Sequence, residues 1–304
     1  MNITAIEQHF AAAMAGAGLQ PPDDVRADGL LHRFSTTGKR GDLSAWYVLH
    51  GDGVPAGVFG CWKAGLTSTW CSKPDTDLTE AERSSHRERI KAMKAQRDAD
   101  EKQRQQCEAD KARARWLAAA IRCQHPYLTR KGVQAYGIRQ DGDTLLVPLR
   151  DTAGVLHSLQ TIDADGNKRF KGRMKGCYHP IGRPAGVLVV AEGFATAASI
   201  HAATGHAVAC AFNAGNLLPV AAALRAKYPS LLLVLAADDD HRTEGNPGLT
   251  AATTAALAVG GYVVKPQFSA ARLPGDTDFN DLHHLDGLAA VRACFAELLE
   301  GTPC

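Results

Sequence analysis

The acidic residues in the last third of the chain are few and sharply placed. No Asp or Glu occurs between Gly193 and Ala237, and the gap is bounded by Glu192 on one side and Asp238-Asp239-Asp240 on the other. Each group directly follows a short apolar run, Val187 to Ala191 in the first case and Leu231 to Ala237 in the second. Side chains alternate along an extended segment, so Asp238 and Asp240 are expected to point together and Asp239 away. Carboxylates held close repel, and one of them stays protonated unless a cation intervenes. A hard divalent ion such as Mg²⁺ resolves that conflict, because it takes one or two carboxylates, keeps waters and meets phosphate oxygens. Such a site suits phosphoryl transfer, where the ion neutralises charge in the transition state. The competing reading is capping: Glu192 ahead of a helix at Gly193, and the aspartates ahead of the following loop. Two acidic groups at the ends of two strands of one sheet favour the cation. A third group, Asp276-Thr277-Asp278-Phe279-Asn280-Asp281, offers Asp278 and Asp281 as a second cation site or a water-mediated shell. An ordinary Asx-rich turn is its equal alternative.

The opposite charge lies upstream. From Gly166 to Arg183 there are six basic residues (Lys168, Arg169, Lys171, Arg173, Lys175 and Arg183) and no acid. Phe170 and Tyr178 are interleaved with them. Cations alternating with aromatics suit a nucleic-acid strand or nucleotide phosphates, through charge and base stacking. A solvated basic loop is the alternative, and the neighbouring acidic groups weigh against it.

The elements that must position these groups follow from hydrophobic pattern. From Gly186 onward short apolar strands alternate with helices: strands at Val187–Val190, Val208–Phe212, Leu231–Ala236 and Tyr262–Val264. The helices between and after them are read at 195–203, 217–227, 247–259 and 288–299. This pattern predicts an α/β fold with a parallel sheet covered by helices on both faces, which brings strand ends to one carboxyl edge where ligands bind. Before it, Thr144–Leu149 and Val155–Leu159 read as strands joined at Asp151–Gly154, with a third element after Asp165-Gly166-Asn167. The expected organisation is a small β-rich module at 1–76, a charged helical connector at 77–122, a mixed α+β basic subdomain at 123–185 and a catalytic α/β domain at 186–304. In the first module Ile6, Phe10 and Met14 have helical spacing, and Gly51-Asp52-Gly53 turns the chain between two strands. Core packing is the expected use of its Trp46, Trp62 and Trp70. The connector carries 12 Lys/Arg and 8 Asp/Glu from Glu80 to Arg122 with no Pro or Gly, which predicts a solvated helix rather than a coiled coil.

Totals hide this segregation. The chain of 304 residues has 34 Lys+Arg against 32 Asp+Glu, and its 45% hydrophobic content rules out a wholly disordered chain. No apolar run approaches the ~20 residues that a membrane helix needs. The first residues lack a basic segment followed by an apolar one, and the eight cysteines form no Cys-x-x-Cys pair. A cytoplasmic chain with reduced thiols and no membrane partner is expected.

Ala191-Glu192-Gly193 followed by Ala237-Asp238-Asp239-Asp240 and a later acidic group resembles the Toprim domain. That metal-binding α/β fold is shared by bacterial-type primases, topoisomerases and some nucleases. The resemblance sharpens to primases of conjugative plasmids, integrative elements and phages. It is carried by His125-Pro126-Tyr127-Leu128 with Lys131-Gly132, Val147-Pro148-Leu149-Arg150-Asp151, Leu159-Gln160, Lys168-Arg169-Phe170 and Gly176-Cys177-Tyr178-His179. It continues in Asn213-Ala214-Gly215-Asn216-Leu217, Gly245-Asn246-Pro247-Gly248 and Asp278-Phe279-Asn280-Asp281. By that resemblance Glu192, Asp238 and Asp240 are catalytic and bind Mg²⁺, with Mn²⁺ as a substitute. Lys168, Arg169, Lys171, Arg173 and Lys175 face DNA or nucleoside triphosphate. The implied activity is synthesis of short RNA primers on single-stranded DNA during replication or transfer of a plasmid, mobile element or phage, with a replicative helicase supplied in trans.

Two departures stand out. Replicative primases carry a second acid one helical turn after the Glu, where this chain has Thr196. They also have an N-terminal zinc ribbon, whereas His32, His50, Cys61 and Cys71 lack paired ligand spacing, so no zinc is expected. The module resembles a ribbon that has lost its metal. The rival readings are a Toprim nuclease using the same carboxylates, and a catalytically weak DNA-binding protein that has kept the fold. A topoisomerase ranks last.

Overall fold

The computed structural model describes residues 2–37, 42–74 and 79–296. The chain divides into two compact units, 1–103 and 104–304.

In the first unit, helix α1 (Ile3–Gly16) starts where the Asn2 side chain accepts the Ala5 N–H. It buries Ile6, Phe10 and Met14 against an antiparallel sheet in the order β1 (His32–Phe34), β2 (Ala45–His50), β3 (Ala56–Cys61) and β4 (Leu66–Cys71). Phe10 meets Tyr47, Phe59 and Trp70 edge-on, the geometry that ring quadrupoles favour. The other face of the sheet offers Trp46, Val48 and Val58 to Met93 and Ile90 on α2 (Glu80–Ala118). Core packing therefore holds for Trp46 and Trp70. Trp62 departs from it, being 66% exposed beside Lys63. His32 stacks on Tyr47 and pairs with Asp28, while Cys61 lies in the core of this sheet.

In the second unit the last turns of α2 lay Ala112 and Trp116 on Leu146, Leu156 and Leu159. These leucines belong to an antiparallel sheet in the order β5 (Arg139–Asp141), β6 (Thr144–Arg150), β7 (Leu156–Ile162) and β8 (Lys168–Phe170). The short helix α3 (Pro126–Arg130) precedes it, capped by His125. The second sheet of this unit runs β13-β12-β10-β11-β9. Four strands are parallel: β10 (Val187–Ala191), β11 (Ala207–Cys210), β12 (Leu232–Ala236) and β13 (Tyr262–Val264). The edge strand β9 (His179–Ile181) is antiparallel to β11. Helices α4 (Phe194–Thr204) and α7 (Phe279–Ala293) cover one face, and α5 (Ala214–Lys227) and α6 (Pro247–Val259) the other. The five residues of β10 are all buried, as a strand covered on both faces requires.

The closing helix differs from the sequence reading. It begins at Phe279 rather than Leu288, and what looked like an acidic turn at Asp278–Asp281 is its capping box. The periodicity breaks at Gly287, whose φ of 81° and ψ of 173° kink the helix, so only the segment after the kink reads as regular from sequence. Residues 297–299 of the expected helix lie outside the described residues. No described helix is long and apolar enough to cross a membrane.

Candidate functional site

Strands β10 and β12 are hydrogen-bonded neighbours, with Ala191 opposite Ala236. Glu192 and Asp238 therefore leave the sheet at the same carboxyl edge. Neither behaves as a helix cap. The N-cap of α4 is Gly193, with no side-chain capping bond. The backbone N–H of Ala214, at the start of α5, lies near enough to the Glu192 carboxylate to pull its pKa down. Burial, and then the charges of Asp240 and Asp278, push the Glu192 carboxyl up against the opposing pull of Lys168. Asp238 is pushed further, to about 8, by burial and then by Asp278, Glu192, Asp240 and Asp281. Its Oδ1 is buried and has no hydrogen-bond partner.

The middle aspartate points elsewhere, as strand alternation predicts. Asp239 accepts from Asn246 (2.8 Å) and Arg272 (2.9 Å), with Lys265 at 3.8 Å. Burial raises its pKa, but these partners outweigh that and hold the carboxyl below its usual range. Asp240 accepts the Gly248 N–H at 3.0 Å, in the first turn of α6. A Cβ on Gly248 would lie 2.8 Å from the Asp238 carbonyl oxygen and 2.9 Å from Asp240 Oδ2, so only glycine lets the helix approach this closely.

Asp278 and Asp281 show the turn reading directly, as the capping pair of α7. Asp278 Oδ1 accepts the N–H groups of Asn280 and Asp281, and Asp281 Oδ2 accepts those of Thr277 and Asp278. The charges of both nevertheless reach Asp238. Thr196, standing where an acid was looked for, donates its hydroxyl to Asp278 Oδ2 at 3.0 Å. That position thus holds a carboxylate rather than supplying one.

Among the described residues, no group of three or more His, Cys, Asp and Glu side chains is gathered closely enough to hold a metal ion. The acids converge on one region without closing into a cage. Mg²⁺ keeps several waters and uses few protein ligands. An orphaned buried carboxylate oxygen among mutually repelling acids is the local fit for such a cation.

The basic segment is split by its own strand. β8 pairs antiparallel with β7, Lys168 opposite Ile162 and Arg169 opposite Thr161. Lys168 faces the acids: Glu192 feels its charge, and its Nζ is 4.0 Å from where a Cβ on Gly193 would stand. Arg169 is on the opposite face of the strand. Lys171, Arg173 and Lys175 are exposed in the loop that follows.

Asn216 ties that loop to the parallel sheet, a role that sequence reasoning did not assign. It is 2% exposed and fully used: its Oδ1 accepts from Gly176 N, and its Nδ2 donates to the carbonyls of Cys177 and Ala211. Asn213 caps the same helix by accepting the Asn216 N–H, and its Nδ2 meets Met174 Sδ. The start of α5 thus holds the basic loop and lies beside the Glu192 carboxylate. The available signal was the paired asparagines of Asn213-Ala214-Gly215-Asn216, three residues apart.

With this geometry in hand, the chain can be set beside known proteins. Residues 187–289 match the Toprim domain family. The expected Toprim resemblance is thereby borne out over the parallel sheet. In an alignment of 286 positions that covers 87% of its length, the chain is 37% identical to a DNA primase TraC of Escherichia coli, of which it spans 20%. Against a second DNA primase TraC of Escherichia coli it is 37% identical over 292 residues, covering 90% of this chain and 27% of that one. The chain thus spans only about a fifth to a quarter of the curated relatives it matches. Among solved structures, the zinc-binding and RNA polymerase domains of the Aquifex aeolicus primase align over 98% of this chain and 86% of theirs, at 13% identity and a TM-score of 0.44.

Proposed function

We propose that this chain carries DNA primase activity: Mg²⁺-dependent synthesis of short RNA primers on single-stranded DNA, in plasmid, mobile-element or phage replication or transfer. The observation that carries the reading is the buried, unpartnered Asp238 Oδ1, in a carboxyl that feels the charges of Asp278, Glu192 and Asp240, with Lys168 beside Glu192. The 37% identity to the TraC primases extends beyond the Toprim match into residues 123–185, which a bare nuclease would not need.

In this reading Glu192, Asp238 and Asp240 hold the cation. Asp278 and Asp281, whose oxygens are partly engaged in capping, add charge through water. When bound, Mg²⁺ neutralises charge building on the transferred phosphate. Lys168 meets the triphosphate from the opposite side, and Arg169, Lys171, Arg173 and Lys175 bind template or nucleotide phosphates. Asn216 fixes the distance between the two charge fields, the kind of pre-positioning that nucleotidyl transfer depends on. A cytoplasmic setting and a helicase acting in trans complete the reading.

Labelled-nucleotide incorporation on single-stranded DNA tests it. Primers from the wild-type chain with Mg²⁺ or Mn²⁺, and none from Asp238→Ala, are expected. A folded wild-type chain that stays inactive across many templates rejects the reading. Strand cleavage in the absence of nucleotides would replace it with the nuclease.

A further inference from the structure

β8 carries cations on two faces, and only one of them looks toward the acids. On the other face the last turns of α2 stand over the edge of the sheet and leave a groove of about 260 Å³. Lys111 and Arg115 line it from the helix, and Arg169 and Lys171 from the strand and its exit. Ala112 and Leu159 form an apolar floor, continuous with the packing of α2 on the sheet. The helical positions 108, 111, 112 and 115 share one face by their spacing.

The charge of this groove is only partly consumed internally. Glu108, its one acid, is bound to Lys111 at 2.7 Å and also feels Lys171. Arg115 pairs with Asp141 at 2.6 Å. Arg169 and Lys171 are exposed and form no ion pair among the described residues. The lining therefore keeps an excess of positive charge over a narrow apolar floor.

We propose that this groove binds the sugar-phosphate backbone of single-stranded nucleic acid, with α2 as one wall. The four cations meet phosphates, and the Leu159–Ala112 floor receives sugar or base edges. A duplex is far wider than a groove of this volume, so a single strand is the fitting occupant. The proposal deepens the primase reading by placing template contacts on the side of β8 away from the acids, and it adds helix residues to them. It rests on that reading only for what the bound strand is used for.

The test is fluorescence anisotropy with a labelled oligodeoxythymidine and the full chain, in EDTA and without nucleotides, so that catalysis plays no part. Arg169→Ala/Lys171→Ala is expected to weaken binding about tenfold at 0.1 M salt, and to reduce the log K against log salt slope by about 1.4, at ~0.7 per lost phosphate contact. Lys111→Glu is expected to weaken binding by a similar factor. Arg113→Glu, on the same helix but outside the groove, is expected to bind as wild type. Equal binding by Lys111→Glu and wild type, or an equal loss in Lys111→Glu and Arg113→Glu, would overturn the groove. So would duplex DNA competing as well as the single strand. A chain that makes primers yet binds DNA normally without Arg169 and Lys171 rejects the groove and leaves the primase reading standing. A chain that loses DNA with those residues but makes no primer does the reverse.

Discussion

The carboxylates of the first unit and those at the edge of the parallel sheet are the same chemical groups in opposite circumstances. Asp42 accepts from Lys63 and, with Ser44 and Thr37 adding hydrogen bonds, is held well below the usual range. Asp28, though partly desolvated, is held down by His32 and the Leu30 N–H. Glu192 and Asp238 face mainly burial and then neighbouring acids, Asp240 and Asp278 for the first and Asp278, Glu192 and Asp240 for the second, and both are raised. Paired acids belong to the fold. Acids aimed at each other store repulsion that only a proton or a cation relieves. Asp239 brings the contrast inside the site, since it sits between Asp238 and Asp240 in sequence but is paired like Asp28.

The largest effect is expected from taking the repulsion away. Asp238→Asn should lower primer synthesis by about 10³-fold, through loss of the cation that stabilises transition-state charge. Asp42→Asn should leave synthesis unchanged. Comparable losses in both variants would erase the distinction between paired and opposed acids.

Asn216→Ala is next. It strands the Gly176 N–H and two carbonyls, at a cost of about 2–3 kcal/mol by denaturant unfolding. If the loop is positioned through this residue, the KM for template should rise more than the stability loss alone explains. Asp239→Ala should cost about 2 kcal/mol by leaving Arg272 without its carboxylate, with Mn²⁺ affinity nearly retained. A loss of Mn²⁺ binding equal to that of Asp238→Asn would move Asp239 into the site.

A smaller effect should appear in pH dependence. The Asp238 carboxyl stands at about 8 in the folded chain against 3.8 in the unfolded one, so its contribution to stability is lost as pH rises toward 8. His179 is buried and held to about 4, so its opposite slope is confined to pH below its unfolded 6.5. Between pH 6.5 and 8 the melting temperature of the metal-free chain should therefore fall, and Asp238→Asn should flatten that fall. An unchanged slope in the variant would assign the repulsion elsewhere.

Much of this was legible because the signals were local. Val187–Ala191 and Leu231–Ala236 read as buried strands from apolar composition, and the alternation of Asp238, Asp239 and Asp240 follows from the pleat. Pro247 at the first turn of α6 and the gap in acids from Gly193 to Ala237 needed no structure. The start of α7 was hidden because its capping residues are aspartates, which a metal reading claims equally well. Its kink at Gly287 also broke the helical period. Asn216 was hidden because its partners, Gly176 and Cys177, lie about 40 residues away.

By itself, then, the sequence determined which residues could do chemistry: acids at two strand ends, and a basic run before them. Side-chain type and strand periodicity are properties of short segments, and they survive any arrangement of the whole. The tertiary structure decided which of those charges meet. It put β10 beside β12, so that Glu192 and Asp238 repel instead of capping. It gave Thr196 a carboxylate to hold, and it divided Lys168 from Arg169 across the two faces of β8. Such pairings depend on which elements become neighbours, and burial sets their strength because a charge removed from water must find its partner within the protein.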